Sequence, residues 1–189
     1  LITQRGHNRL PCFLDGADYL EFKQALWDSA EQNDTAIHAA LMLPQAYWVL
    51  ASPAQPDGIA RTIQRTGRCY VRHCNAKYRR EGTLWAGRYQ ACLVQRCREH
   101  MDRCASYLAM TPGRAGVVAA GAPWPWLFLE EGLTPGDALI DDNAYREMST
   151  ILKRGQVLGD PPYCRDIART AGVRIGATPR GRPRKTEGT

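Results

Sequence analysis

Arg61, Arg65, Arg68 and Arg72 recur at steps of four, three and four residues, so on a helix they form one stripe. Arg79, Arg80, Arg88, Arg96 and Arg98 follow, while Asp57, Glu81 and Glu99 are the only acids between residues 56 and 100. A solvated helix face normally mixes signs for local ion pairs. A stripe of one sign repels itself and points to a phosphate backbone as its partner. An ordinary solvated face is the alternative. A second cluster has metal-ligand chemistry: Cys97, His100 and Cys104 stand at i, i+3 and i+7, with Cys92 just before them. Zinc takes such ligands, but paired Cys-x-x-Cys spacings are missing, so plain thiols are expected.

The chain has a net charge of +6, with 44% hydrophobic and 23% charged residues. That is a globular profile with enough apolar residues for a core, and its charge suits a polyanion. Charge alone does not separate DNA, RNA and an acidic membrane surface. Seven cysteines, an odd number scattered along 189 residues, suit a reducing cytosol better than a disulfide framework. The longest apolar run, Ile37 to Ala51, is interrupted by Pro44 and Gln45 and falls short of the roughly 20 residues of a membrane span. Leu1-Ile2-Thr3-Gln4-Arg5 has neither a signal peptide's layout nor an initiator Met, so a first strand starting upstream and a cytoplasmic, nucleoid-associated location are expected.

The elements that must position these residues follow from periodicity. Asp15 to Gln32 carries Tyr19, Phe22, Leu26 and Trp27 at helical spacing, with Asp15 as N-cap. Thr35 to Leu43 and Ala46 to Ala51 are strand-like and joined at Leu43-Pro44-Gln45, which predicts an antiparallel hairpin. A second helix is predicted over Ile59 to Tyr78, a strand over Thr83 to Val94, and a third helix over Arg98 to Met110, ended by Thr111-Pro112-Gly113. After Pro123-Trp124-Pro125-Trp126 short helices are predicted over Asp137 to Leu152 and Tyr163 to Ala171. The tail contains Arg180-Gly181-Arg182-Pro183-Arg184-Lys185, either a minor-groove arm using Arg182, Arg184 and Lys185 or a disordered tail of plain charge.

Several segments in order, Thr3-Gln4-Arg5-Gly6-His7-Asn8-Arg9, Ala36-Ile37-His38-Ala39, Gly82-Thr83-Leu84-Trp85-Ala86-Gly87-Arg88-Tyr89, Tyr107-Leu108 through Gly116, and Gly181 to Lys185, resemble the REP-associated tyrosine transposases, a branch of the single-tyrosine HUH superfamily. The resemblance implies an α+β fold: a ferredoxin-like antiparallel sheet with packed helices over residues 1 to about 120. A helical extension (121–173) and a flexible basic tail (174–189) would follow.

It further implies binding to the hairpins of repetitive palindromic DNA and cutting of one strand beside them. In active relatives two histidines at i and i+2 of a strand hold Mg or Mn, which polarises the scissile phosphate for a tyrosine nucleophile. By resemblance the tyrosine falls on Tyr107, a further polar ligand on Thr111, and the two histidines on Gln45 and Tyr47. Neither of the last two is a histidine, so no cofactor is expected here, and cutting is expected to be lost while recognition is kept. A replacement site using His7 or His38 is not expected. Arg5, Arg9, the arginine stripe and Arg88 would contact the backbone of hairpin or single-stranded DNA, with Trp85 and Tyr89 as base platforms. Core packing is the alternative for Trp85 and for Tyr107. An active nickase with another ligand set, or a folded remnant without DNA affinity, also remains open.

Overall fold

In a computed structural model of the chain, the structure describes residues 1–136 and 140–171. The elements are β1 (Ile2–Arg5), α1 (Gly16–Glu31), β2 (Thr35–Leu43), β3 (Ala46–Pro53), α2 (Gly58–Lys77), β4 (Gln90–Ala91), β5 (Leu93–Val94), α3 (Arg98–Arg114), β6 (Leu127–Leu129), α4 (Asp142–Arg154), β7 (Val157–Leu158) and α5 (Pro161–Ala171). The main sheet runs β4-β1-β3-β2-β6, and every pairing in it is antiparallel. Its first four strands have the 4-1-3-2 order of a ferredoxin-like α+β sandwich, and β6 adds an edge.

Two cores follow from the two faces of this sheet. Ile2, Ala40, Met42, Tyr47 and Val49 meet Phe22 and Leu26 of α1 and Ile63 and Tyr70 of α2. Ala39, Leu41, Leu43 and Leu50 point the other way and meet Cys104, Tyr107 and Leu108 of α3 with Met148 and Leu152 of α4. Alternation along the strands produces this division, with one irregularity between Ile37 and Ala39. The extension after Pro123 therefore shares a core with the sheet. It is also more than helical, since β6 pairs with β2 and β7 pairs in parallel with β5.

The ends of α1 and α2 are joined by charge. Asp15 caps α1, and Asp18 reciprocates as the partner of a capping box. Lys77, at the end of α2, donates to Asp15 at 2.7 Å and to the fully buried Asp18 at 2.8 Å, and the Tyr78 hydroxyl donates to Asp18 at 2.7 Å. Burial alone would push the Asp18 carboxyl up, but donors from Lys77, Tyr78 and the Leu14 amide hold it below the usual range.

Three expectations need correction. Thr83 to Val94 is not one strand: it makes a single bridge from Trp85 to Gly6 before the short β4 and β5. Gly82 and Gly87, with φ of +86° and +127°, turn the chain out of an extended path. α3 does not end at Met110 but continues through Pro112 to Arg114. A proline so close to the C-terminus disturbs only the last turn, where the amide of Ala115 still donates to the Thr111 carbonyl at 2.9 Å. α4 begins at Asp142, where the Asp141 carboxylate accepts from the Ala144 amide at 2.7 Å. Its expected start at Asp137 lies outside the described residues, as does the tail with Arg182, Arg184 and Lys185.

Candidate nucleic-acid interface and tyrosine site

The amphipathic pattern of α2 sets its orientation. Thr62, Ile63, Thr66, Tyr70 and Cys74 are buried, which turns Arg61, Arg65, Arg68 and Arg72 outward, all exposed. Arg61 pairs with Asp57 at 2.7 Å across one helical turn. Among the described residues, Arg65, Arg68 and Arg72 make no ion pair. Arg65 and Arg68 border a concavity closed by Gln32 and Asn33 at the end of α1. Arg5 ends β1, Arg9 lies in the turn after it, and Arg88 follows the Gly87 bend; all three are exposed.

Tyr107 lies on the other side of the sheet, on α3, only 4% exposed. Its hydroxyl is 3.3 Å from Ser149 Oγ, and its ring lies 4.8 Å from that of Tyr145, so α4 covers it. Burial pushes its phenol up to about 12, which leaves it a poor nucleophile near neutral pH. A cavity of about 200 Å³ beside it is lined by Ala46, Trp48, Arg5, Arg88 and Lys153. Sequence reasoning missed Ser149 and Lys153, because nothing in the pattern of α4 shows which cavity that helix will cover.

The structure places the two expected ligand positions elsewhere. Gln45 is exposed in the turn between β2 and β3. Tyr47 is 1% exposed in the opposite core, its ring 4.7 Å from Phe22 and 5.3 Å from Trp85, its hydroxyl donating to Gln4 at 2.7 Å. The pair that faces Tyr107 is Ala46 and Trp48, one residue along in register. Thr111 does lie one turn beyond Tyr107, but its hydroxyl donates to the Tyr107 carbonyl at 2.6 Å and meets the Tyr145 hydroxyl at 3.1 Å.

A methyl, an indole and an engaged hydroxyl do not make a shell for Mg or Mn, which require several anionic or carbonyl oxygens or imidazoles. These residues do not fit the metal that the resemblance implies. His38 is engaged on both ring nitrogens, with Glu130 on one and Ser52 Oγ at 2.8 Å on the other. His7 is exposed in the turn after β1, and neither histidine lines the Tyr107 cavity. Among the described residues, no group of three or more His, Cys, Asp and Glu side chains is placed to hold a metal, the Cys97, His100 and Cys104 set included. All seven cysteines are free, and burial pushes the Cys104 thiol up to about 12.

Trp85 is buried, its ring surrounded by Phe22, Tyr47 and Tyr70 at 5.3 to 6.1 Å between centroids. It is a core residue and not a stacking platform. Tyr89 is half-buried at the edge of the first core. No helix among the described residues is long and apolar enough to cross a membrane.

No family model matches the chain, and no curated protein matches it. A solved structure does: the REP-associated tyrosine transposase bound to a REP hairpin, superposed with a TM-score of 0.58 at 19% identity over 76% of this chain and 87% of that one. The chain is thus similar in fold to a tyrosine transposase solved bound to a REP hairpin.

Proposed function

We propose that this protein binds DNA as a hairpin with adjoining single strands, of the repetitive palindromic kind, and does not cut it. The carrying observation is the exposed row Arg65, Arg68 and Arg72, unpaired among the described residues, on a fold shared with a hairpin-bound transposase. Arg88 lines the same groove as Arg68 and Arg72, and Arg5 lines a cavity with Arg88; Arg9 is a further exposed cation. Cations of one sign along a helix neutralise successive phosphates and release their counterions, which gives affinity without sequence.

The Tyr107 site supports the loss of cutting. Its phenol is buried, raised in pKa and covered by α4, and the strand positions facing it carry Ala46 and Trp48. Neither side chain lowers the charge on an attacked phosphate.

Titrating a labelled DNA hairpin with single-stranded flanks into the protein at low salt tests the reading. Saturable binding is expected, with no covalent protein–DNA adduct on a denaturing gel in magnesium or manganese. A flat titration would mean a folded remnant without DNA affinity, and a tyrosine-dependent adduct would mean an active nickase.

A further inference from the structure

Arg5, Arg88 and Lys153 line the cavity beside Tyr107, and no carboxylate or histidine does. All three cations are exposed, and among the described residues none of them makes an ion pair. A concave site walled by one sign of charge focuses its field on the space inside, which favours an anion there.

Two parts of the chain build this site. Arg5 comes from the end of β1 and Arg88 from the bend after Gly87. Ser149, Leu152 and Lys153 stand at i, i+3 and i+4 of α4 and so share one face of that helix. Met148 and Leu152 anchor α4 in the second core, which seats Lys153 at the cavity with its charge still in solvent. Ser149, half-buried, adds a hydroxyl to the lining.

Size and charge together select the ligand. At about 200 Å³ the cavity lies below the roughly 300 Å³ at which sites for drug-sized ligands begin, so its occupant is a small group. A terminal phosphate carries about −1.5 to −2 charges at neutral pH, whereas an internal phosphodiester carries one. Attraction to a set of unpaired cations grows with that charge. We propose that the cavity binds a phosphomonoester, held by Arg5, Arg88 and Lys153 and presented by a free nucleotide or by the phosphorylated end of a DNA strand. Ala46, Trp48 and Leu152 give the attached sugar an apolar lining to rest against. The site is separable from the hairpin binding proposed above, because Lys153 lies outside the arginine row and a free nucleotide reports on the cavity alone.

Calorimetry on the full chain at low salt tests it, with thymidine 5′-monophosphate as the probe. Saturable binding is expected, and none with thymidine. The second proton of a phosphomonoester binds near pH 6, so moving from pH about 7.5 to about 5 should weaken the nucleotide about tenfold. Lys153→Gln should weaken it about tenfold by removing a charged partner, and Lys153→Arg should restore it. Arg154→Gln removes the next cation of α4, which is exposed and outside the lining, and should leave the affinity unchanged. A second arm compares hairpins whose flanks end in phosphate or in hydroxyl. Tighter binding of the phosphate end in the native chain, and equal binding of both in Lys153→Gln, would identify the strand end as the ligand. Equal binding of both ends beside a saturable nucleotide would identify the free nucleotide. No nucleotide binding together with no preference for a phosphate end would overturn the site and leave hairpin binding standing. Equal losses in Lys153→Gln and Arg154→Gln would also overturn it, by reducing the effect to net charge. A nucleotide that binds when no hairpin does would overturn the DNA-binding reading and support this site.

Discussion

Tyr47 and Tyr107 meet the same sheet from opposite faces: Tyr47 leaves β3 towards Phe22 and Trp85, whereas Tyr107 packs against the other side under Tyr145 and Ser149. Strand alternation makes this an all-or-none matter, because a shift of one residue exchanges every inward side chain for an outward one. Ala46→His with Trp48→His should therefore set two imidazoles facing Tyr107 and bind manganese, detectable by calorimetry. Gln45→His with Tyr47→His should bind none there and should lose about 3 kcal/mol of stability by replacing a buried aromatic ring. Manganese bound in the second variant and absent in the first would reverse the register assigned here.

The Tyr107 phenol, raised to about 12 by burial, titrates above its unfolded value of about 10. Its stabilising share is complete below pH about 10 and is lost as pH rises through about 12. Tyr19 is also raised to about 12, so the comparison must be with Tyr107→Phe. Urea unfolding between pH 8 and 11 should show a steeper alkaline loss in the native chain than in Tyr107→Phe. Because the tyrosine is covered by α4, the same variant should bind hairpin DNA within twofold of native. A tenfold fall in affinity would mean that the phenol contacts DNA.

The buried Asp18 gives the opposite pH dependence. Its carboxyl is held low by Lys77, Tyr78 and the Leu14 amide, although burial opposes this, and His73 Nε2 lies 3.5 Å away. Its contribution is present above the unfolded value of about 3.9 and is lost as pH falls through the lower folded value. Asp18→Asn should cost about 2 kcal/mol at neutral pH and should flatten the acid limb of thermal unfolding below pH 4. An unchanged acid limb would place the acid sensitivity elsewhere.

Much of this arrangement was legible in the sequence, for physical reasons that differ by element. Asp15 and the spacing of Tyr19, Phe22 and Leu26 fix α1 because capping and helical period agree. The hairpin is visible in two apolar runs around Pro44, and the arginine row in a four-three-four spacing. The face towards which Gln45 and Tyr47 point was not legible, since both residue sets of Gln45-Ala46-Tyr47-Trp48 suit a strand and only the cores on either side decide between them. Burial of Trp85 was one of two open readings, because a glycine-flanked tryptophan on an irregular segment carries no period to choose between core and platform. Nor does any spacing show that Gly67 lies against Trp85 Nε1, a contact between segments 18 residues apart.

The dependence of hairpin affinity on salt tests the central claim most directly. Plotted as log affinity against log salt concentration, the native chain should give a steep negative slope. Replacing Arg65, Arg68 and Arg72 together by alanine should reduce that slope by about 2, at about 0.7 per lost contact to a single strand. Arg61→Ala, which removes a cation already paired with Asp57, should change it by less than one such contact. A slope unchanged by the triple replacement would show that the stripe faces only solvent and would contradict the account.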